Sequence, residues 1–280
     1  MKKQDRGKSA NTSHDARSSG SNRSKQPDKQ AQKETPYIFG FHPVESLVEQ
    51  TGFHSSDILY LSRADQGRVK RILQKAQKAG IDVRRVNQTQ LDSLCGGENH
   101  QGIVLHRQES FNFPEFSEEE MFEESNSGVY VALDGVNDPH NVGAIIRSMA
   151  AFSAKGCVVP KKRSAPVGGS ALKSSAGALL KIPVLHVSGL PNFLLKAREH
   201  SFYVIGADLD GEIMTSEMVR EILEVQKKIL LVFGAEQDGL SRLVKERCHS
   251  LLRIDQSTQI DSLNISASAA IFLYEFSKNS

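Results

Sequence analysis

The stretch ILLVFGAEQDGLSR at residues 229–242 is the clearest indication of the fold, because five apolar residues run without alternation into Gly234. An unbroken apolar run that ends in a glycine-rich turn is typical of a strand buried on both faces of a parallel sheet. Similar runs lie at 129–134, 156–160, 182–187, 202–207 and 251–255, and helical stretches are predicted at 142–152, 170–179, 190–200, 240–248 and from 263 onward. The sequence therefore predicts an α/β fold with a parallel sheet.

A smaller α/β pattern precedes this sheet. Its strands are predicted at 37–39, 57–62, 81–87 and 101–108, and its helices start at Pro43 and cover 66–80 and 89–96. An acidic segment with seven glutamates and no lysine or arginine separates the two patterns, and its charge argues against contact with nucleic acid. At 280 residues the chain has room for two domains. We predict a small domain at 37–108, a linker with docking aromatic side chains at 109–128 and a large domain at 129–280.

Residues 1–36 carry nine Lys/Arg against four acidic residues, a net charge of +5, and Met1 is their one apolar side chain besides alanine. Such a composition predicts a disordered basic tail, which serves either as an arm that binds phosphate or as a solubilising segment.

The N-terminus has no apolar signal region, and no apolar run approaches the roughly 18 residues that span a bilayer. Three dispersed cysteines fit a reducing compartment. We expect a cytoplasmic protein with no membrane segment.

The sequence lacks the motifs of several common cofactor sites. It has no G-x-G-x-x-G and no P-loop, which disfavours a nicotinamide-dependent enzyme, and GGSALKS at 168–174 resembles a phosphate loop only weakly. It has no H-E-x-x-H and no paired C-x-x-C, so no metal site is expected.

Polar residues follow three of the predicted strands, where parallel sheets bind ligands. After Asp134 come Asn141 and Arg147; the arginine either extends to the surface or points into a cleft to bind phosphate or an oxyanion, and spacing alone favours the first interpretation. Glu236 directly follows the strand that ends at Gly234, as a cap or a substrate partner. Ser262 and Asn264 precede the last helix, as caps or as ligand-binding groups.

Together, in this order, the three junctions resemble the SpoU/TrmH family of RNA 2'-O-ribose methyltransferases. The matching stretches are DGVNDPHNVGAIIR at 134–147, KSSAGALLKIPV at 173–184, FGAEQDGLSR at 233–242 and IDQSTQIDSLNISASAAIFLYE at 254–275. The stretches at 37–49 and 100–108 resemble the start and end of a ribosomal-protein-L30e-like RNA-binding domain. That pairing points to the branch of the family that modifies a guanosine of 23S ribosomal RNA.

The resemblance implies a deep trefoil knot in the large domain, a homodimer formed through that domain, and S-adenosylmethionine as the methyl donor. It assigns cofactor contacts to Gly234, Ile254 and Leu263. It assigns the catalytic and ribose-binding positions to Asn141, Arg147, Glu236, Ser262 and Asn264. Arg147 is expected to stabilise the developing alkoxide and the adjacent phosphate, and a phosphate-assisted base role stays open.

The sequence departs from the family pattern after Ile254, where Asp255, Gln256 and Ser257 replace the usual proline and glycine. The change falls in the loop that is expected to bind the adenine, so we expect it to affect the affinity for S-adenosylmethionine. It also leaves open a non-catalytic role in RNA binding or ribosome assembly. Methylation of tRNA or of another ribosomal nucleotide stays open as well, because the sequence does not fix the target nucleotide.

Overall fold

The computed structural model describes residues 37–62, 67–97, 99–107, 113–162, 164–165, 167–257 and 262–278. The basic tail predicted for residues 1–36 lies outside the described residues. Within them the chain forms two separate sheets, of four and six strands.

The smaller sheet has the strand order β1-β4-β2-β3. Its strands are β1 (Tyr37–Phe39), β2 (Ile58–Leu61), β3 (Asp82–Arg85) and β4 (Ile103–His106). The helices of this half are α1 (Phe41–Thr51), α2 (Arg68–Ala79) and α3 (Gln88–Leu94). As predicted, α2 ends at Gly80, which adopts the left-handed conformation that glycine reaches without strain.

The larger sheet has the order β10-β8-β9-β5-β6-β7, and every neighbouring pair is parallel. Its strands are β5 (Gly128–Asp134), β6 (Cys157–Pro160), β7 (Val184–Val187), β8 (Phe202–Ile213), β9 (Lys228–Gly234) and β10 (Ser250–Arg253). All seven residues of β9 are buried. The predicted buried parallel sheet is confirmed.

The helices of the larger half differ from the predicted ones in three places. They are α5 (Pro139–Ala151), α6 (Gly169–Ser174), α7 (Leu190–Glu199), α8 (Ser216–Val225), α9 (Arg242–Lys245) and α10 (Ile265–Lys278), with a short 3-10 helix at Ala178–Leu180. One difference is the helix predicted at 170–179, which is divided into α6 and the short 3-10 helix. The sequence prediction missed α8, whose Thr215 caps it by accepting from the backbone N–H of Met218. The helix predicted at 240–248 is only the four residues of α9, and the weak phosphate-loop match at 168–174 forms the start and body of α6.

The segment between the two sheets packs on the larger one. It contains α4 (Glu118–Phe122), and Phe116 and Phe122 pack against one core cluster of the larger half, so the predicted docking of linker aromatics is confirmed there. Lys228 at the start of β9 donates to the carbonyl oxygens of Phe122 and Glu123 at 3.2 and 2.7 Å. The buried lysine therefore anchors the segment to the sheet.

A buried ion pair lies at the end of β4 in the smaller half. The Arg107 guanidinium donates to both carboxylate oxygens of Asp57, at 3.0 and 2.7 Å, and both side chains are fully buried. It also donates to the hydroxyl of Thr51 and the carbonyl of Gly52. These contacts satisfy the charges in the interior, where either one alone would be costly.

Helix α6 connects the smaller half to the larger one. The ammonium of Lys173 lies 4.9 Å from the ring centroid of Phe39 on β1. On its other side α6 packs closely on α5, because a Cβ at Gly143 would lie 1.8 Å from the hydroxyl of Ser174. The absence of a side chain at Gly143 thus sets the position of α5.

Candidate functional site

A tight turn at residues 234–239 forms the centre of the site. Ala235 and Gly239 exchange two backbone hydrogen bonds, with N–O distances of 3.0 and 2.9 Å. A Cβ added at Gly234 would lie 2.1 Å from the carbonyl carbon of Gly239, so the turn folds directly over the end of β9. The result is a loop that presents Glu236 to solvent at the carboxyl end of the sheet.

Asp134 fixes the far end of this turn. It ends β5, next to Gly234 in the parallel register, and its carboxylate accepts from the backbone N–H of Ser241 at 2.8 Å. The sequence analysis identified Asp134 only as the end of a strand. Its role becomes visible when the fold places residue 241 beside it.

Asn264 joins the three predicted junctions. Its side-chain amide donates to a carboxylate oxygen of Glu236 at 2.6 Å and to the amide oxygen of Asn141 at 3.2 Å. Its own amide oxygen accepts from the backbone N–H and the hydroxyl of Ser266, at 2.9 and 2.6 Å. The last interaction is the helix cap that the sequence predicted, so Asn264 caps α10 and orients Glu236 at the same time.

Asn141 is the buried member of this group, and it lies in the first turn of α5. That helix begins where Asp138 accepts from the backbone N–H of His140 and Pro139 occupies the first helical position. Because α5 is seated on α6, the amide of Asn141 is held against Asn264.

The structure does not place Arg147 with the other four residues. Its side chain is exposed and makes no hydrogen bond or ion pair within the described part of the chain. Six residues separate it from Asn141, which turns the two side chains about 120° apart around the helix. The guanidinium of Arg147 is therefore free to meet a group from outside the chain.

A cleft of about 460 Å³ opens beside the turn. Gly234, Ile254 and Leu263 all line it, as do Glu236 and Ser262, with Phe233, Leu252 and Phe272 as apolar wall residues. Its volume and its mixture of apolar walls and a few polar groups are typical of sites for small ligands.

Two charged residues that line the cleft, Asp208 and Lys245, were not predicted as site residues. The ammonium of Lys245 lies 2.8 Å from the carboxylate of Asp208, whose side chain is 6% exposed. The hydrogen bond to Asp208 raises the pKa of Lys245, so the lysine stays charged. The only sequence signal was the pair of acids, Asp208 and Asp210, directly after the apolar run of β8.

Other reactive groups near the cleft are inert. Burial raises the pKa of the Cys248 thiol to about 12, which leaves it protonated at neutral pH.

Within the residues that the structure describes, no group of three His, Cys, Asp or Glu side chains could hold a metal ion. In the same residues, no helix is both long and apolar enough to cross a membrane.

Two sequence families match the chain. The one described as the SpoU rRNA Methylase family matches residues 128–274, and the one described as RNA 2'-O ribose methyltransferase substrate binding matches residues 37–110. The first covers the larger sheet and all the residues of the candidate site.

Named relatives match over most of their length. The 23S rRNA (guanosine-2'-O-)-methyltransferase RlmB of Xylella fastidiosa (strain 9a5c) is 33% identical over 244 residues, which cover 87% of this chain and 96% of the relative. The protein of the same name from Xanthomonas campestris is 35% identical over the same shares. A crystal structure of AdoMet-bound rRNA methyltransferase from Sinorhizobium meliloti superposes with a TM-score of 0.65 at 24% identity, over 86% of each chain, and shares the fold.

Proposed function

The chain belongs to the SpoU rRNA methylase family, and we propose that it transfers a methyl group from S-adenosylmethionine to a ribose 2'-oxygen of RNA, in a guanosine of 23S rRNA. The observation that carries this proposal is the hydrogen-bonded group of Asn141, Glu236 and Asn264, of which Glu236 also lines the cleft. The group joins polar side chains from three separate junctions of the chain.

The cleft fits the proposed methyl donor. Its volume suits a nucleoside with an amino-acid tail, and the backbone of Gly234 forms part of its wall. Ile254 and Leu263 line the adjacent wall, and the atypical residues after Ile254 lie where the family has proline and glycine. S-adenosylmethionine supplies a methyl group that is already activated by its sulfonium, so the protein must align the acceptor oxygen and help it lose a proton.

Asn141, Glu236, Ser262 and Asn264 are proposed to hold the ribose. The Glu236 carboxylate accepts from Asn264 through one oxygen, which leaves its second oxygen for a sugar hydroxyl. Alignment of two reacting atoms contributes about 7–11 kcal/mol in favourable cases.

Arg147 is proposed to bind the phosphate next to the target ribose and to stabilise the developing alkoxide. A guanidinium keeps its proton in proteins, which favours this role over that of a general base. Its exposure and lack of a partner in the described residues support a contact with the RNA rather than a structural role.

We also propose that residues 37–108 bind the RNA substrate and that residues 129–280 form the knotted methyltransferase domain, joined by the linker at 109–128. A 23S rRNA substrate places the reaction in the cytoplasm. The match of the smaller half to a substrate-binding family supports this division of labour.

A homodimer is proposed through the exposed face of α5 and α10. Ile271 and Tyr274 on α10 are 37% and 50% exposed, and the Tyr274 ring packs edge-on against Phe152 at 5.8 Å. We expect Tyr274→Lys to convert a dimer to a monomer in light scattering, because it places a charge in an apolar contact. Leu243→Lys, at a similarly exposed position on α9, is the control. A dimer that withstands Tyr274→Lys contradicts this interface.

The proposed reaction is tested by mapping ribose methylation in total RNA from a strain that lacks the gene. We expect one guanosine of 23S rRNA to lose its 2'-O-methyl group. Loss of a methyl group from tRNA would identify a different substrate of the same enzyme class.

Cofactor binding is tested by thermal unfolding. S-adenosylmethionine at 100 times its dissociation constant should stabilise the protein by about 2.7 kcal/mol. For a domain of this size that raises Tm by about 5–10 °C. An unchanged Tm together with unchanged RNA methylation would favour the non-catalytic role.

A further inference from the structure

The outer face of the smaller sheet carries a group of side chains that the reaction does not use. Tyr37 pairs with His106 across β1 and β4, and Tyr60 pairs with Arg84 across β2 and β3. The register Ile58↔His106 places all four on the same side of the sheet, since Ile58 and Tyr60 are two residues apart. We call Tyr37, Tyr60, Arg84 and His106 the stacking face.

The stacking face differs from the inner face of the same sheet. The inner face is fully apolar and buried in the main core, with Ile38, Leu59, Leu61, Ile103 and Leu105. On the outer face, α3 covers only one end, where Phe39, Leu91, Cys95 and Val104 form a small cluster. Tyr37, Tyr60 and His106 at the border of this cluster are half-buried, and Arg84 is half-exposed.

The planar groups of the stacking face are arranged in pairs. The rings of Tyr37 and His106 stack with centroids 4.6 Å apart and planes 24° from parallel. The guanidinium carbon of Arg84 lies 5.9 Å from the ring centroid of Tyr60, and Asp82 holds that guanidinium through a 2.7 Å hydrogen bond. The Nδ1 atom of His106 is shielded and finds no hydrogen-bond partner in the described part of the chain. The rings and the guanidinium are thus preorganised at the surface of the sheet.

The stacking face leads toward the catalytic half. Phe39 lies two residues after Tyr37, on the same side of β1, and Lys173 of α6 contacts its ring. Helix α6 is seated on α5, which carries Asn141. A strand of RNA that crosses the sheet from Tyr60 to Tyr37 therefore reaches the helix pair of the proposed active site. Arg84 lies at the start of this path and Lys173 at its end.

We propose that the stacking face binds unpaired bases of the RNA substrate, and this proposal rests on the proposed function. Unstacked bases are recognised in proteins by aromatic rings and by guanidinium planes, whereas bases inside an A-form helix cannot reach such groups. The positive charges of Arg84 and Lys173 are proposed to bind the RNA phosphates on either side of these bases. The smaller half thereby selects a single-stranded loop near the target ribose rather than a duplex.

The test uses the full chain and two fluorescent RNAs, an unstructured oligonucleotide and a fully paired duplex. Arg84→Gln and Tyr60→Leu are each expected to weaken binding of the unpaired RNA about tenfold, the loss of one stacked base, with binding of the duplex unchanged. Arg71→Gln removes the same charge from an exposed position on α2, at the other side of the sheet, and is expected to leave both affinities unchanged. Arg84 is 52% exposed, so Arg84→Gln decides the matter if Tyr60→Leu fails to fold.

Crosslinking provides a second readout that does not depend on affinity. RNA with 4-thiouridine in the unpaired segment should crosslink to peptides that contain Tyr37 or Tyr60. Unchanged affinity in Arg84→Gln, equal losses in Arg71→Gln, or crosslinks confined to other peptides would overturn the proposal. If the wild type methylates 23S rRNA and these results appear, the stacking face is wrong while the proposed function stands. If the wild type methylates no RNA, the proposed function fails, and the binding data still decide on the stacking face.

Discussion

Arg147→Ala is expected to slow RNA methylation by about 10²–10³-fold, the usual effect of removing one group that stabilises a developing oxyanion. The fold and the affinity for S-adenosylmethionine should not change, because the side chain is exposed and makes no contact that stabilises the described structure. Single-turnover methylation of 23S rRNA, with thermal unfolding in parallel, measures both quantities.

Arg220→Ala is the matched control for that experiment. Arg220 is also exposed, on α8, and among the described residues its one polar contact is a surface ion pair with Glu217. Its loss should leave methylation unchanged. Arg147→Lys keeps the charge but not the planar fork, so an intermediate rate is expected if phosphate binding dominates. Near-normal methylation by Arg147→Ala would show that the arginine has no part in the reaction.

Gly234→Ala should abolish binding of S-adenosylmethionine. The added methyl group would lie 2.1–2.3 Å from backbone atoms of Gly239 and Leu240, so the turn that lines the cleft must move. Overpacking of this kind costs about 1–3 kcal/mol of stability, and the displaced turn also carries Glu236. We expect a folded protein with a lower Tm that shows no further stabilisation by the cofactor and no detectable methylation.

Gly189→Ala separates this local effect from a general intolerance of alanine. A Cβ at Gly189 meets no atom within 4 Å, and its backbone is extended, so the variant should bind the cofactor as the wild type does. Normal cofactor binding by Gly234→Ala would mean that the turn does not form the wall of the cofactor site.

The strands of the larger half were predictable because burial on both faces leaves a continuous apolar run. The run that starts at Ile229 in β9 is the clearest case. Helix α8 was missed although Val219, Ile222 and Leu223 repeat with helical spacing after the cap at Thr215. Helix α9 was overestimated because apolar spacing at 240–248 reflects packing of a loop as well as of a helix. The local sequence pattern does not distinguish a packed loop from a helix.

Asn141, Glu236 and Asn264 were predicted to belong to one site from their motifs, but the hydrogen bonds that join them were not predictable. The bond between Asn264 and Asn141 joins residues 123 positions apart, and only the order of the strands brings them together. Asp134 and Lys245 have no distinguishing local pattern, and their roles depend on which turn lies beside them. Arg147 is the opposite case: its motif is intact, but its side chain is exposed and makes no contact in the described residues that would indicate its role.

Asn264 is synthesised after Asn141 and Glu236, and it is the residue that bonds to both of them. The ribosome delivers this residue and helix α10 after both of the other junctions have been synthesised. A chain halted before residue 264 has all six strands of the parallel sheet, but among the described residues it lacks the side chain that bonds to both Glu236 and Asn141. On the proposed role of Asn264, we expect such an incomplete copy to be inactive.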